Sequence, residues 1–273
     1  RAEAAAGIAL QREAMELAGL ARGGGGAVAT VEDAGPALAT AALVMECGPE
    51  RLEVKQAIFA RLLREAGPEA ILATASSALA ISRIVPDPAG RGRCLVAHPV
   101  NPPAVLRLVE IVPAPGTRPD IASRAAALFE AAGFGAVILG REVEGFVLNR
   151  LQGAVLREAY RLVDEGVLGA EGVDRVMRLG LGPRWALSGP FETAELNTPG
   201  GIRAHAARMG PAYARMGAER GEAVDWRDDL VARVDAERRE GLPLDALPAR
   251  VAWRARAVAR LVALRDRLME ERP

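Results

Sequence analysis

The sequence predicts an α/β domain, a mostly parallel sheet wound with helices on both faces, followed by an all-helical domain. Two observations carry this. Up to about residue 139, short apolar runs alternate with stretches of helical spacing, the pattern of strands joined by crossover helices. From about Val143 the strand-like runs stop, and the remainder of the 273 residues reads as helix. The break is placed near Arg141, giving an α/β domain over 1–141 and a helical domain over 142–273.

The elements follow in order. Segment 2–22 reads as an amphipathic helix, with Ile8, Leu10, Met15, Leu17 and Leu20 among polar residues. The glycine run 23–26 comes next. A dinucleotide fingerprint needs a strand before its glycines and a helix directly after; here a helix precedes and a strand candidate follows, so the run reads as a flexible turn. Strand candidates lie at 27–30, 43–47, 70–75, 94–97, 108–112 and 136–139. Between them, 51–65 has helical spacing through Leu52, Ile58, Phe59 and Leu62, and 120–132 is a second helix with Gly133 as its C-cap. In the second half, 146–165 is a long helix closed by Gly166, 174–179 is another, 180–190 is a Gly/Pro loop, and 249–269 is an Arg-rich amphipathic helix.

Lys+Arg and Asp+Glu both number 35, so a net charge of zero gives no electrostatic case for nucleic acid or an anionic membrane. No apolar run reaches the roughly 18–20 residues of a membrane span. Cys47 and Cys94 both sit in apolar runs that read as buried strands, which suggests reduced core thiols and a cytoplasmic protein. Zinc-protease, C-x-x-C and nucleophile-elbow motifs are absent, and no metal site is expected. Basic residues are almost all arginine, with Lys55 the only lysine; three asparagines (Asn101, Asn149, Asn197) and two histidines (His98, His205) remain. Under such a bias, rare residues mark positions where a substitute fails, since a guanidinium cannot replace a compact ammonium in a tight site.

Four features cluster at strand ends, where ligands lie in open α/β sheets. The first is His98, delivered by an apolar strand into the proline-stiffened turn Pro99-Val100-Asn101-Pro102-Pro103; an imidazole titrating near neutrality can take or give a proton. The second is Glu110, in the otherwise apolar run after that turn. It reads either as the partner of His98 across a tight return or as an edge carboxylate facing water. The third is Thr74-Ala75-Ser76-Ser77, whose hydroxyls either bond a ligand oxygen or cap the next helix. The fourth is the helix opening from Glu50 to Lys55, either a ligand contact or a solvated helix face. In the helical half, Arg184 beside Trp185 reads as a fork for a free carboxylate or as a surface pair.

These motifs carry a resemblance. His-Pro-Val-Asn-Pro-Pro at 98–103, Leu-Val-Glu-Ile-Val at 108–112 and Glu-Gly-Phe-Val-Leu-Asn-Arg-Leu at 144–151 together resemble the 3-hydroxyacyl-CoA dehydrogenase family. Glu158–Gly166, Gly180–Trp185 and Gly189–Thr193, with Leu196-Asn197, resemble its lambda-crystallin or L-gulonate 3-dehydrogenase branch. The resemblance implies a Rossmann-type doubly wound sheet, here incomplete: the family's opening strand, Gly-rich turn, helix and second strand, which hold the pyrophosphate of NAD, have no counterpart in the sequence, and the chain as it stands is expected to hold NAD weakly. It implies that His98 is the catalytic acid/base and Glu110 its partner, and that Ser77 and Asn149 bond the reacting oxygen of the substrate. Glu50, Lys55, Ser77 and Asn101 would lie along the nicotinamide side of the NAD cofactor. The implied activity is oxidation of the 3-hydroxyl of a small 3-hydroxy acid, with Arg184 contacting the substrate. Two alternatives stay open: an acyl-CoA thioester dehydrogenase of fatty acid metabolism, and a non-catalytic crystallin-like relative. The resemblance also implies a homodimer through the helical domain.

Overall fold

The computed structural model describes residues 6–9, 12, 16, 26–103, 105–221 and 228–271. The chain forms two compact units, 1–157 and 158–273.

The first unit is built on a five-stranded sheet in the order β1-β2-β3-β4-β5. These strands are Leu43–Glu46, Ile71–Thr74, Cys94–Pro99, Leu108–Pro113 and Gly135–Ile138. β1, β2 and β3 run parallel. β4 returns antiparallel to β3 after the proline turn, and β5 is parallel to β4. Helix α1, Leu52–Glu65, joins β1 to β2, and α2, Pro119–Ala131, joins β4 to β5. A proline at the start of α2 suits that end, because its missing N–H is not needed there.

Side chains alternate faces along a strand, and the core divides accordingly. Leu72, Cys94, Val96 and Val112 pack with Phe59 and Leu62 of α1 and with Ile81, Ile84 and Phe146 on one face. Ile71, Ala73, Leu95, Ala97, Val109 and Ile111 meet Ile121 and Ala125 of α2 on the other. The β2 and β3 interiors are apolar on both faces, which is why they read as continuous hydrophobic runs. Extending the α1 face by two residues along each strand reaches Glu46, Thr74 and His98. One sheet face therefore holds the apolar core and, at the carboxyl ends of β1–β3, a row of polar side chains.

The strand expected at 27–30 does not form. Residues 26–31 take no regular structure, and Val28 and Val31 are more than half exposed. Among the described residues β1 has only β2 as a ladder partner, so this short Ala/Val run has nothing to pair with. Of the helix expected over 2–22, only 6–9, 12 and 16 are described, and these are helical. Cys94 is buried in β3 as expected, but Cys47 falls one residue past β1 and is exposed.

Helix α3, Leu148–Asp164, runs from the first unit into the second. The second unit continues with α4 Ala170–Val176, α5 Pro190–Leu196, α6 Gly201–Glu219, α7 Asp228–Gly241 and α8 Leu247–Glu270. The Gly/Pro segment 180–190 is not the loop expected. A π-helical stretch, Met177–Leu181, leads directly into a helical turn, Gly182–Trp185, with Pro183 in its first turn, where a proline is tolerated. Buried Glu195 of α5 pairs with Arg238 of α7 at 2.9 Å and with Arg239, tying those helices together. Among the described residues no helix is long and apolar enough to cross a membrane.

Candidate active site

Antiparallel pairing sets His98 of β3 directly opposite Glu110 of β4. Opposed residues share a face, and His98 Nδ1 lies 2.9 Å from Glu110 Oε2. Both are buried, at 5% and 2% exposure. A buried carboxylate needs its remaining lone pairs satisfied. The second oxygen, Oε1, accepts the backbone N–H groups of Val147 at 2.8 Å and Leu148 at 2.9 Å, at the opening of α3. That is the positive end of the helix, where a carboxylate is stabilised. Gly145 (φ 75°) and Phe146 (φ 50°) are consecutive left-handed residues that turn the chain so both amides face the carboxylate. Phe146 is fully buried, with its ring centroid 5.5 Å from that of His98 and tilted by 52°. With Glu110 ionised, Nδ1 carries the proton of the neutral imidazole, which leaves Nε2 as the basic nitrogen.

A second polar cluster occupies the ends of β1 and β2. Glu50, at the rim before α1, accepts from the hydroxyl of Ser76 and from the N–H groups of Ser77 and Ala78, both at 3.2 Å. Burial pushes the Glu50 carboxyl up, but the Ser76 hydroxyl, the Ala78 amide and the Lys55 ammonium outweigh it and leave it below the ordinary value. Asn149 on α3 donates through Nδ2 to the carbonyl of Ser77 at 2.9 Å. Ser77 is thus held through both its backbone groups while its side chain stays exposed.

Lys55 is buried rather than presented to a ligand. Its ammonium contacts both oxygens of Glu46 at 3.1 and 2.9 Å and the carbonyl of Gly48 at 3.3 Å. Glu50 Oε2 stands 3.5 Å away. Asn101 is exposed in the turn after β3. Arg184 belongs to the second unit, where it lines a largely apolar cavity of about 470 Å3 with Trp185, Phe191, Asn197 and His205. The structure therefore joins His98 to Glu110, and joins Glu50, Ser77 and Asn149 to one another. Glu46 and the Val147 and Leu148 amides were missed by sequence reasoning. Glu46 carried the same signal as Glu110, a lone carboxylate in an apolar strand, whereas the backbone amides leave no mark in side-chain chemistry.

Comparison with known proteins gives the family. Residues 23–143 match the family model described as 3-hydroxyacyl-CoA dehydrogenase, NAD binding domain, and 145–242 match that described as 3-hydroxyacyl-CoA dehydrogenase, C-terminal domain. The lambda-crystallin homolog of Bos taurus is 39% identical over 271 residues, covering 96% of this chain and 84% of that protein. The chain belongs to the 3-hydroxyacyl-CoA dehydrogenase family. The L-carnitine dehydrogenase of Burkholderia mallei is 37% identical over 204 residues, 73% of this chain and 63% of that one. The fold is shared with the solved structure of 5-formyl-3-hydroxy-2-methylpyridine 4-carboxylic acid 5-dehydrogenase, an NAD+ dependent dismutase. That match has a TM-score of 0.69 and 23% identity, over 93% of this chain and 86% of the other. As a 3-hydroxyacyl-CoA dehydrogenase family member, this chain is an NAD-dependent oxidoreductase. Glu50, Ser77 and Asn101 are each exposed and offer carboxylate, hydroxyl and amide groups. Such groups pair with a carboxamide and ribose hydroxyls.

Proposed function

We propose that the chain oxidises the 3-hydroxyl of a small free 3-hydroxy acid, in the manner of an L-gulonate or L-carnitine dehydrogenase. The buried His98–Glu110 pair carries this reading, its carboxylate held by the α3 amides. His98 Nε2 takes the hydroxyl proton, and Glu110 stabilises the imidazolium that forms. NAD+ would supply the hydride acceptor for carbon 3, and loss of the proton and the hydride leaves a 3-oxo acid. Ser77 and Asn149 hold the reacting oxygen in line, and Glu50, Ser77 and Asn101 hold the nicotinamide half of the cofactor.

A guanidinium fork pairs bidentately with a free carboxylate, which is the role the sequence suggests for Arg184. L-Carnitine, which a relative in Burkholderia mallei is named for, is a free acid rather than a thioester. A homodimer is part of the proposal, supported by Leu156 and Tyr160, which lie four residues apart on one face of α3 and are exposed at 46% and 76%. A cytoplasmic location accords with the free thiols of Cys47 and Cys94.

The test is turnover by the complete protein on L-gulonate, L-carnitine and 3-hydroxybutyryl-CoA, native and H98Q. The variant is expected to lose about 10²-fold or more in turnover while keeping NADH affinity. Unchanged turnover removes His98 from the mechanism, and preference for the thioester moves the substrate to the acyl-CoA class.

A further inference from the structure

Lys55 is 1% exposed, a charged side chain as enclosed as the core phenylalanines. A buried ammonium requires close counter-charges. It has two, and they differ in kind. Glu46 is itself enclosed, its side chain 2% exposed, and is anchored by the Thr74 hydroxyl at 2.6 Å and the Gly48 amide. Glu50 is a rim group with its side chain 44% exposed, 3.5 Å from the ammonium through Oε2. Its Oε1 meanwhile ties down the turn at 76–78. One cation thus stands between a carboxylate with no outward face and a carboxylate at the cofactor rim.

Buried Glu46 has no surface with which to meet a ligand. Its charge instead decides how Lys55 divides itself. With Glu46 ionised, the ammonium makes its two closest carboxylate contacts to it, and Glu50 keeps its oxygen on Ser76, Ser77 and Ala78. Without that charge the ammonium has one carboxylate left, and the attraction draws Glu50 inward, away from the turn that positions Ser77. We propose that Glu46 is a positioning residue for the nicotinamide site, acting through Lys55 on the placement of Glu50 and Ser77. The inference rests on the dehydrogenase reading in one respect, that Glu50 and Ser77 face cofactor and substrate.

The test is a double-mutant cycle in the complete protein with E46Q, E50Q and E46Q/E50Q. It is read by NADH affinity from nicotinamide fluorescence and by kcat on whichever hydroxy acid the native protein turns over. E46Q keeps the shape of the side chain and is expected to weaken NADH binding and lower kcat, each about tenfold, the size of one misplaced charge-assisted hydrogen bond. E46Q/E50Q is expected to be no weaker than E50Q, because both substitutions act at one point. Should E46Q fail to melt cooperatively, E46Q/K55Q removes both buried charges together, a change that folds tolerate better. That variant is expected to keep native NADH affinity, since no ammonium remains to draw Glu50 off the 76–78 turn, and a loss as large as that of E50Q overturns the inference. Native-like NADH binding by E46Q, or losses that multiply in the double variant, overturns the inference. A native protein that turns over no hydroxy acid overturns the substrate reading instead, and the NADH cycle still reports on Glu46 by itself.

Discussion

Glu110 stands across the antiparallel ladder from His98 with 2.9 Å between carboxylate and ring nitrogen, while its other oxygen is fixed by two backbone amides. The carboxylate is thus immobilised on one side and left to act on the imidazole with the other. Glu110→Gln keeps the shape but removes the charge that stabilises the imidazolium. Turnover should fall about 10–100-fold, with NADH binding little changed. Glu110→Ala additionally strands buried donors and should lower stability by about 1–3 kcal/mol in chemical denaturation.

Gly145 sets the angle at which the amides of α3 approach. At φ 75°, an alanine there meets its nearest atoms at 3.6 Å, so the space is adequate and the penalty is conformational. Gly145→Ala should cost about 1 kcal/mol of stability. It should also reduce turnover, because the amides on Glu110 shift with the turn. A full loss of stability with native turnover per folded molecule would show that the turn is not coupled to the carboxylate.

Arg91 supplies a control away from the site. Arg91 is 8% exposed, and among the described residues its guanidinium donates to carbonyls: Val85 at 2.6 Å, Pro115 at 3.2 Å, Ser82 at 3.3 Å, and Pro86. Arg91→Met leaves those acceptors without donors and should cost about 2–3 kcal/mol, a fall in melting temperature of roughly 5–10 °C. The kcat of the folded fraction should not change.

The two cysteines should be slow to react. Burial pushes the Cys94 thiol up to about 11. Burial and the neighbouring Glu46 carboxylate raise that of Cys47, against the opposing pull of Lys55. A raised pKa means less thiolate at neutral pH. Iodoacetamide at pH 7.5, followed by mass spectrometry, should modify Cys47 more slowly than a free thiol and Cys94 only after unfolding.

Glu50 offers a pH signature. Its carboxyl is lowered in the folded state, so its contribution is present above the ordinary value of 4.5 and is lost as pH falls further through the depressed value. Denaturation midpoints measured between pH 3 and 6 should fall less steeply toward acid in Glu50→Gln than in the native chain.

The sheet was legible because its strands are apolar on both faces and bounded by turn residues, so β2, β3 and β4 appear close to their observed limits. The run 27–30 has the same composition but no ladder partner among the described residues, and pairing is not written in a four-residue segment. The segment 180–190 misled for a different reason: Gly and Pro mark loops on average, yet Pro183 sits where a helix accepts it. The His98–Glu110 pair was readable because a lone carboxylate in an apolar strand demands a partner. Lys55 stood out by its rarity, but its burial depends on where α1 crosses the sheet, and the α1–β1 approach is tertiary information. Cys47 missed burial by one position, the margin by which strand ends are uncertain.

The alternation that puts His98 and Glu110 on a common face imposes a parity rule on the hairpin. Adding or deleting a single residue within β4 ahead of Glu110 rotates that carboxylate to the α2 side of the sheet and brings an aliphatic neighbour opposite the imidazole. Removing or adding two restores the orientation. Length changes in the return at 100–107 escape the rule, because they stop short of the paired residues. Variation in chain length among working relatives should therefore concentrate in that return and, inside the strand, come only in even steps.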